Sequence, residues 1–104
     1  MLWRYRPLSR SARAGPVPPD VRASVIARDR GCVFSHLGIA HDCGRWVELD
    51  HVRASGALGR RSRSTADNLV SLCPAAHREK TRNGRRWRPV LLAWIERNDG
   101  RSTE

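Results

Sequence analysis

The stretch LDHVRASGALGRRSRSTADNLVSLCPAAHREKT, residues 49–81, holds an adjacent aspartate and histidine, an arginine-rich loop, an asparagine, a cysteine and a second histidine. Its patterning changes twice. Around its start, RWVELDHV alternates β-branched and aromatic residues imperfectly with polar ones and reads as a strand over 45–52. SGALGRRSRST has the Gly, Ser and Arg content of a loop, and NLVSL reads as a second strand, so the two form a hairpin with a long basic loop. Pro74 suits the first turn of a helix that AAHREKT carries on to about Arg82, with His77 near its start, before Asn83-Gly84 breaks it. Strand, strand and helix in this order let Asp50, His51, Asn68 and His77 converge when the helix packs across the hairpin. Neighbours in a regular strand point to opposite faces, so Asp50 and His51 serve one site only at a strand end or bend.

Working outward, Pro19 and Asp20 can open a helix over 19–29 that places Val21, Val25 and Ile26 on one face, with Gly31 as its stop. After Cys32 an irregular loop runs through Gly38 and Gly44. RPVLLAWIERN sets Val90, Leu91, Trp94 and Ile95 at helical spacing, with Pro89 near the start and Gly100 beyond the end, and should pack back on the core. The expected organisation is a flexible basic arm over 1–18, one domain over 19–98 and a disordered tail over 99–104. Trp46, Trp87 and Trp94 are expected in the core. Trp3 and Tyr5, interleaved with Arg4 and Arg6, either stack on bases or belong to an untethered end.

The chain of 104 residues carries 20 basic against 10 acidic side chains, a formal net charge of +10, mostly from arginine. So small a domain has a thin core, and a metal staple is a plausible supplement. Arginine suits bidentate phosphate contacts, so the expected partner is a polyanion. No stretch approaches the ~20 apolar residues of a membrane span, and no signal-peptide core follows the basic start, which leads to the expectation of a cytoplasmic protein with no membrane partner. Three cysteines cannot all pair within one chain, and in a reducing compartment they serve as metal ligands or buried small hydrophobes.

Chemically, Asp50 and one imidazole can hold a divalent cation, a second imidazole can deprotonate water, and Asn68 can orient either. In order along the chain, Asp50-His51, Asn68 and His77 within HREKT resemble the signature of the HNH endonucleases, small phage and prophage members in particular. The likeness covers roughly Cys32 to Lys80, and NGRRWRPVLLAWIE resembles the tail of such nucleases. It implies an α+β fold, a small ββα-metal (His-Me finger) core flanked by an N-terminal and a C-terminal helix.

The resemblance further implies a metal-dependent endonuclease that nicks or cuts double-stranded DNA, with His51 as general base, Asp50 and His77 as ligands of one catalytic divalent cation (Mg, Mn, Ni or Zn), and Asn68 orienting or helping to bind it. A neutral imidazole with a pKa near ~6.5 is a competent base at neutral pH. Expected partners include a second copy of the chain and phage packaging proteins such as terminase or portal, with mobile-element homing as another setting, inside a bacterial host cell. Many HNH proteins carry a structural zinc on two Cys-x-x-Cys pairs. Here Ala76 stands where the fourth cysteine would be and the first pair is widened to Cys32 and Cys43, so His36 or His41 would have to complete Cys32, Cys43 and Cys73. Without a metal, these cysteines are buried thiols. Arg60, Arg61 and Arg63 are expected to grip phosphates beside the scissile bond, with Lys80, Arg85 and Arg86 in a second DNA-binding run. The competing reading is a non-catalytic, zinc-stapled nucleic-acid-binding module.

Overall fold

The structure is a computed structural model that describes residues 3–6, 17–53 and 63–99. In chain order the elements are β1 (Arg4–Tyr5), α1 (Pro19–Asp29), α2 (Val33–His36), β2 (Trp46–His51), a 3-10 turn (Ala66–Asn68), β3 (Leu69–Leu72), α3 (Pro74–Arg82) and α4 (Gly84–Asn98). They form a small mixed α+β fold around a three-stranded sheet of order β1-β2-β3, with β1 parallel and β3 antiparallel to β2.

Proline and chain reversal explain the helix limits. Pro19 and Pro74 each occupy the first helical turn, where a missing N–H removes no intrahelical bond. Helix α1 ends as Arg30 turns left-handed (φ 47°) and its N–H bonds the Ile26 carbonyl. Gly31 follows at φ 112°, and a Cβ there would stand 2.2 Å from the Trp3 indole, so both backbone and packing require glycine.

Alternation sorts the side chains of the sheet. Register pairs Glu48 with Leu72 and Asp50 with Val70, so these four share one face, while Leu49, Ser71, His51 and Leu69 share the other. On the first face Val70 and Leu72 join Cys32, Val33, Phe34, Val52, Cys73, Ala76, Trp87, Leu91 and Ile95 in the main core. Val25, Val47 and Leu69 are buried outside that cluster.

A buried carboxylate ties the layers together. Asp29, 1% exposed, accepts from Arg28 Nε at 2.7 Å and Nη2 at 3.2 Å, from the Ser71 amide at 2.8 Å and from Trp94 Nε1 at 3.1 Å. Arg28 in turn donates to the carbonyls of Ala66 and Leu69, at 2.7 and 2.6 Å. One ion pair thus joins α1, β3 and α4.

Five expectations are corrected. The arm over 1–18 is not wholly free, because Arg4 and Arg6 donate backbone N–H groups to the carbonyls of Arg45 and Val47, at 3.0 and 2.8 Å. Tyr5 accepts from the Gly31 amide at 3.0 Å and donates to Ser71 Oγ at 3.4 Å, and Trp3 packs against the core, so neither aromatic is untethered. Trp46 is 41% exposed, on an open part of the sheet face. The last helix begins at Gly84, which leaves Pro89 inside it. Asn83 ends α3 and starts α4 within one residue, its carbonyl taking the amides of Arg86 and Trp87, while Glu79 accepts from both the Asn83 amide and the Trp87 indole. Residues 33–36 form a helical turn within the expected irregular loop.

Replacing Asp29 with alanine leaves the buried Arg28 guanidinium with only the exposed Asp99 carboxylate, 3.9 Å away, as counter-charge, a type of change worth about 3–5 kcal/mol. Urea denaturation of Asp29→Ala is expected to show a loss in that range, and one under about 1 kcal/mol would show the pair to be dispensable.

Candidate functional site

Strand β2, strand β3 and helix α3 build the site in three consecutive steps. Asp50 lies on the face that α3 covers, and His77, in the first turn of α3, meets it: His77 Nε2 donates to Asp50 Oδ1 at 3.0 Å, and Nδ1 donates to Glu48 Oε1 at 2.6 Å. Two carboxylates on two ring nitrogens make His77 an imidazolium. Hydrogen bonding to Asp50 outweighs burial and, with Glu48, pushes its pKa up to about 9 from the ordinary 6.5. Burial of Asp50 opposes its charge, but His77 and Lys80 hold its pKa below the usual carboxylate value.

Lys80, one turn after His77, is the only lysine in the chain. It is 8% exposed, 2.9 Å from Asp50 Oδ2, and donates to the His51 carbonyl at 2.6 Å. The expectation that it contacts phosphate is therefore corrected: its ammonium is inside, pinning α3 to the end of β2. A compact ammonium can face a carboxylate oxygen and a peptide carbonyl together without the planar fork that a guanidinium imposes. Asp50 Oδ2 is buried with no aligned hydrogen bond among the described residues, so Lys80 balances it by charge.

His51 ends β2 on the opposite face from Asp50, and its Nε2 lies 3.0 Å from Ser64 Oγ. Burial lowers its pKa, Asp50 opposes that, and Lys80 reinforces it, so the imidazole is neutral at pH 7. The Asn68 side chain clasps the hairpin loop: Oδ1 accepts the Arg53 amide at 2.9 Å and Nδ2 donates to the carbonyls of Arg53 and Arg63, at 3.2 and 2.9 Å. Its placement is that of a positioning residue for the loop rather than a ligand. Arg63 is exposed at the loop's return, as are Arg85 and Arg86 on α4, where Arg86 lies over the Trp87 ring. Arg60 and Arg61 lie outside the described residues.

A second cluster forms beside α2. Ligand atoms of Cys32, His41, Cys43 and Cys73 all lie within 4.8 Å of one another, and the four could hold a metal ion such as zinc. Bond lengths of ~2.3 Å in a tetrahedron put sulfurs about 3.8 Å apart, so the set needs little closure. His41 Nδ1 donates to the Ile39 carbonyl at 2.7 Å, which fixes the tautomer and leaves Nε2 as a base, 3.5 Å from Cys32 Sγ. Burial disfavours a thiolate at Cys43, yet hydrogen bonds involving Ser35, the Arg45 backbone and His41 bring its pKa down to about 7. Burial and the neighbouring Cys32 push Cys73 up to about 12. Three thiolates this close need a cation to coexist.

Of the two histidines offered as fourth ligand, the structure selects His41. His36 instead donates to the carbonyls of Asp29 and Arg30, at 2.7 and 2.9 Å, capping α1, and stacks on Trp94. Glu48 and the interior role of Lys80 were missed from sequence. The signal for Glu48 was its position two residues before Asp50, hence on the same strand face.

No family model, no curated protein and no solved structure matches the chain. Among the described residues no helix is long and apolar enough to cross a membrane.

His77 holds its proton more tightly folded than unfolded, so the stability it contributes is complete below its ordinary pKa of 6.5 and is lost as pH rises through about 9. Without added divalent cation, stability is expected to fall by about 1 kcal/mol between pH 7 and 10, a figure reduced for partial solvent screening. Urea midpoints across that range should be flatter in His77→Gln, and equal slopes would place the titration elsewhere.

Proposed function

We propose that this protein is a metal-dependent endonuclease of the HNH class, built on a ββα-metal core, that hydrolyses phosphodiester bonds of double-stranded DNA. One observation carries the reading: Asp50 Oδ1 and His77 Nε2, on a strand and the helix packed across it, stand 3.0 Å apart. Two ligands at ~2.1 Å from a small cation and at right angles are about 3.0 Å apart, so once His77 gives up its Nε2 proton the pair has the bite of a chelate. Asp50 Oδ2 faces the Lys80 ammonium at 2.9 Å, so the carboxylate offers a cation its Oδ1. The other carboxylate of the cluster, Glu48, is on His77 Nδ1, the ring nitrogen away from Asp50.

A divalent cation held by Asp50 and His77 supplies positive charge to the phosphoryl and leaving oxygens. The chain's own groups do the rest. His51, neutral at pH 7 and the last residue of β2 before the chain bends at 52–53, is assigned to accept the proton of the water that attacks phosphorus as the P–O bond to the leaving oxygen breaks. Ser64 Oγ against Nε2 and Lys80 on the His51 carbonyl hold that residue in place. Asn68 clamps both described ends of the loop, at Arg53 and Arg63, and so positions these two arginines for phosphate contact. A net charge of +10 supports a nucleic-acid substrate.

Lys80 on Asp50, and Glu48 on the far nitrogen of His77, favour a second reading, a nucleic-acid-binding module whose former metal site is closed by internal ion pairs. Conversion of supercoiled plasmid with magnesium, manganese, nickel or zinc separates the two. The native protein is expected to give nicked circles first, as one site cuts one strand, and His51→Ala and His77→Ala to lose at least about 100-fold in rate. Metal-independent or absent conversion by the native protein, with DNA binding retained, supports the module.

We assign zinc to the Cys32, His41, Cys43 and Cys73 cluster, a Cys₃His set that fits the closed tetrahedral shell of a structural site. Elemental analysis is expected to find one zinc per chain, lost in Cys73→Ser, and chelation to lower the melting temperature by about 10 °C or more. Metal-free protein with an unchanged melting curve after chelation would leave the cysteines as buried thiols.

A further inference from the structure

We infer that the strand backbone flanking the scissile phosphate is held in a groove between β1 and α3, with Arg6, Arg78 and Arg82 as its phosphate contacts. The inference rests on the nuclease reading for its place beside the cleavage site. The groove is a concavity of about 410 Å³ whose walls include these three arginines and whose floor reaches Glu48 and His77. Arg78 and Arg82 are one turn apart on α3, on the same side of the helix, and Arg6, the residue after β1, joins them in the lining.

Three observations mark the groove as a phosphate track rather than an ordinary solvated surface. First, all three arginines are exposed, and among the described residues no carboxylate lies within ion-pair distance of any of them. The one carboxylate in the groove, Glu48, is already matched by His77 at 2.6 Å, so the enclosed charge is strongly positive. Second, the wall formed by β1 is ordered in advance. Register puts Arg4 beside Trp46, and Arg4 and Arg6 lie over its indole ring at 5.4 and 5.9 Å. This accounts for Trp46, the exposed large hydrophobic residue among those described: its ring is the support on which two guanidiniums rest. Third, the groove is continuous with the proposed site. Trp46, Glu48 and Asp50 alternate along one strand face, so the row of positive groups leads directly to the Asp50–His77 pair.

Guanidinium groups around an open concavity recognise phosphate oxygens without reading bases, so the contact is sequence-independent and strongly salt-sensitive. We assign the occupant as duplex DNA.

The test is the salt dependence of binding to a short fluorescein-labelled duplex, read by anisotropy with the purified protein and no added divalent cation, so that cleavage plays no part. Arg6→Gln with Arg78→Gln is compared with Arg30→Gln with Arg97→Gln, an equal loss of charge at the α1–α4 end of the fold. The groove pair is expected to weaken binding and to reduce the magnitude of the slope of log K against log salt by roughly 2, the control pair by much less. Similar slopes for the two pairs, or no change in the groove pair, would overturn the inference. Tighter binding of a single-stranded RNA of equal length through Arg6 and Arg78 would overturn the assignment to DNA. If the groove pair loses its slope while the native protein cuts no plasmid with any metal, the groove stands and the nuclease reading falls.

Discussion

Pairing Glu48 with Leu72 and Asp50 with Val70 places two carboxylates and two aliphatic side chains on the same face of the sheet. The aliphatic pair belongs to the core under α3 and α4, so this register cannot slip by one residue without moving Val70 and Leu72 into the opposite layer. The carboxylates are held by the same constraint. They meet α3 because their strand neighbours must be buried, and His77 and Lys80 sit one turn apart on that helix where the carboxylates arrive. A polar cluster positioned by hydrophobic register needs few polar contacts of its own, which is useful in a chain with so thin a core.

Buried charge is distributed unevenly between structure and site. Asp29 has each of its oxygens met by well-formed donors from three elements, and its partner Arg28 also holds two carbonyls of the strand entry. A fully satisfied pair of this kind fixes geometry even where its net contribution to stability is small. Asp50 differs. Lys80 balances one oxygen by charge without an aligned hydrogen bond, and His77 shares the other. The incompletely satisfied carboxylate is the one at the proposed site, and the completed one joins α1, β3 and α4 through the Ser71 amide, one residue along β3 from Asp50's partner Val70.

Much of the fold was legible because local signals and tertiary packing agreed. Proline in the first turn marked α1 and α3, alternation marked β2 and β3, and the order of these elements brought Asp50 and His77 together as their spacing suggested. Where they disagreed, long-range contacts decided. Trp46 has the composition of a core residue, but the arginines of β1, distant in sequence, make its exposed position a useful one. Pro89 looked like a helix start, yet Asn83 and the Trp87–Glu79 bond begin α4 a turn and a half earlier. His36 and His41 were indistinguishable as ligands, since only the fold shows that one imidazole is occupied in capping α1. Lys80 read as one more cation in a basic run because nothing local indicates that its turn of the helix faces β2.

On the proposed reading, the site must accept a divalent cation inside a protein of net charge +10. The local balance makes this feasible. Glu48 and Asp50 are countered by His77 and Lys80, so the four groups sum to roughly zero while His77 keeps its proton. On that reading, Asp50 and His77 would hold the cation only after His77 loses its Nε2 proton, so binding would be favoured as pH rises, the opposite direction to the ion pair's contribution to stability. Binding would also leave the cluster with excess positive charge at the end of the groove lined by Arg6, Arg78 and Arg82, where a phosphate relieves it. On the proposed reading, cation and phosphate would then bind more favourably together than apart, each raising the affinity of the other by linkage. The four charges close the resting site with its own ion pairs, and on the proposed reading the joint arrival of metal and substrate would open it.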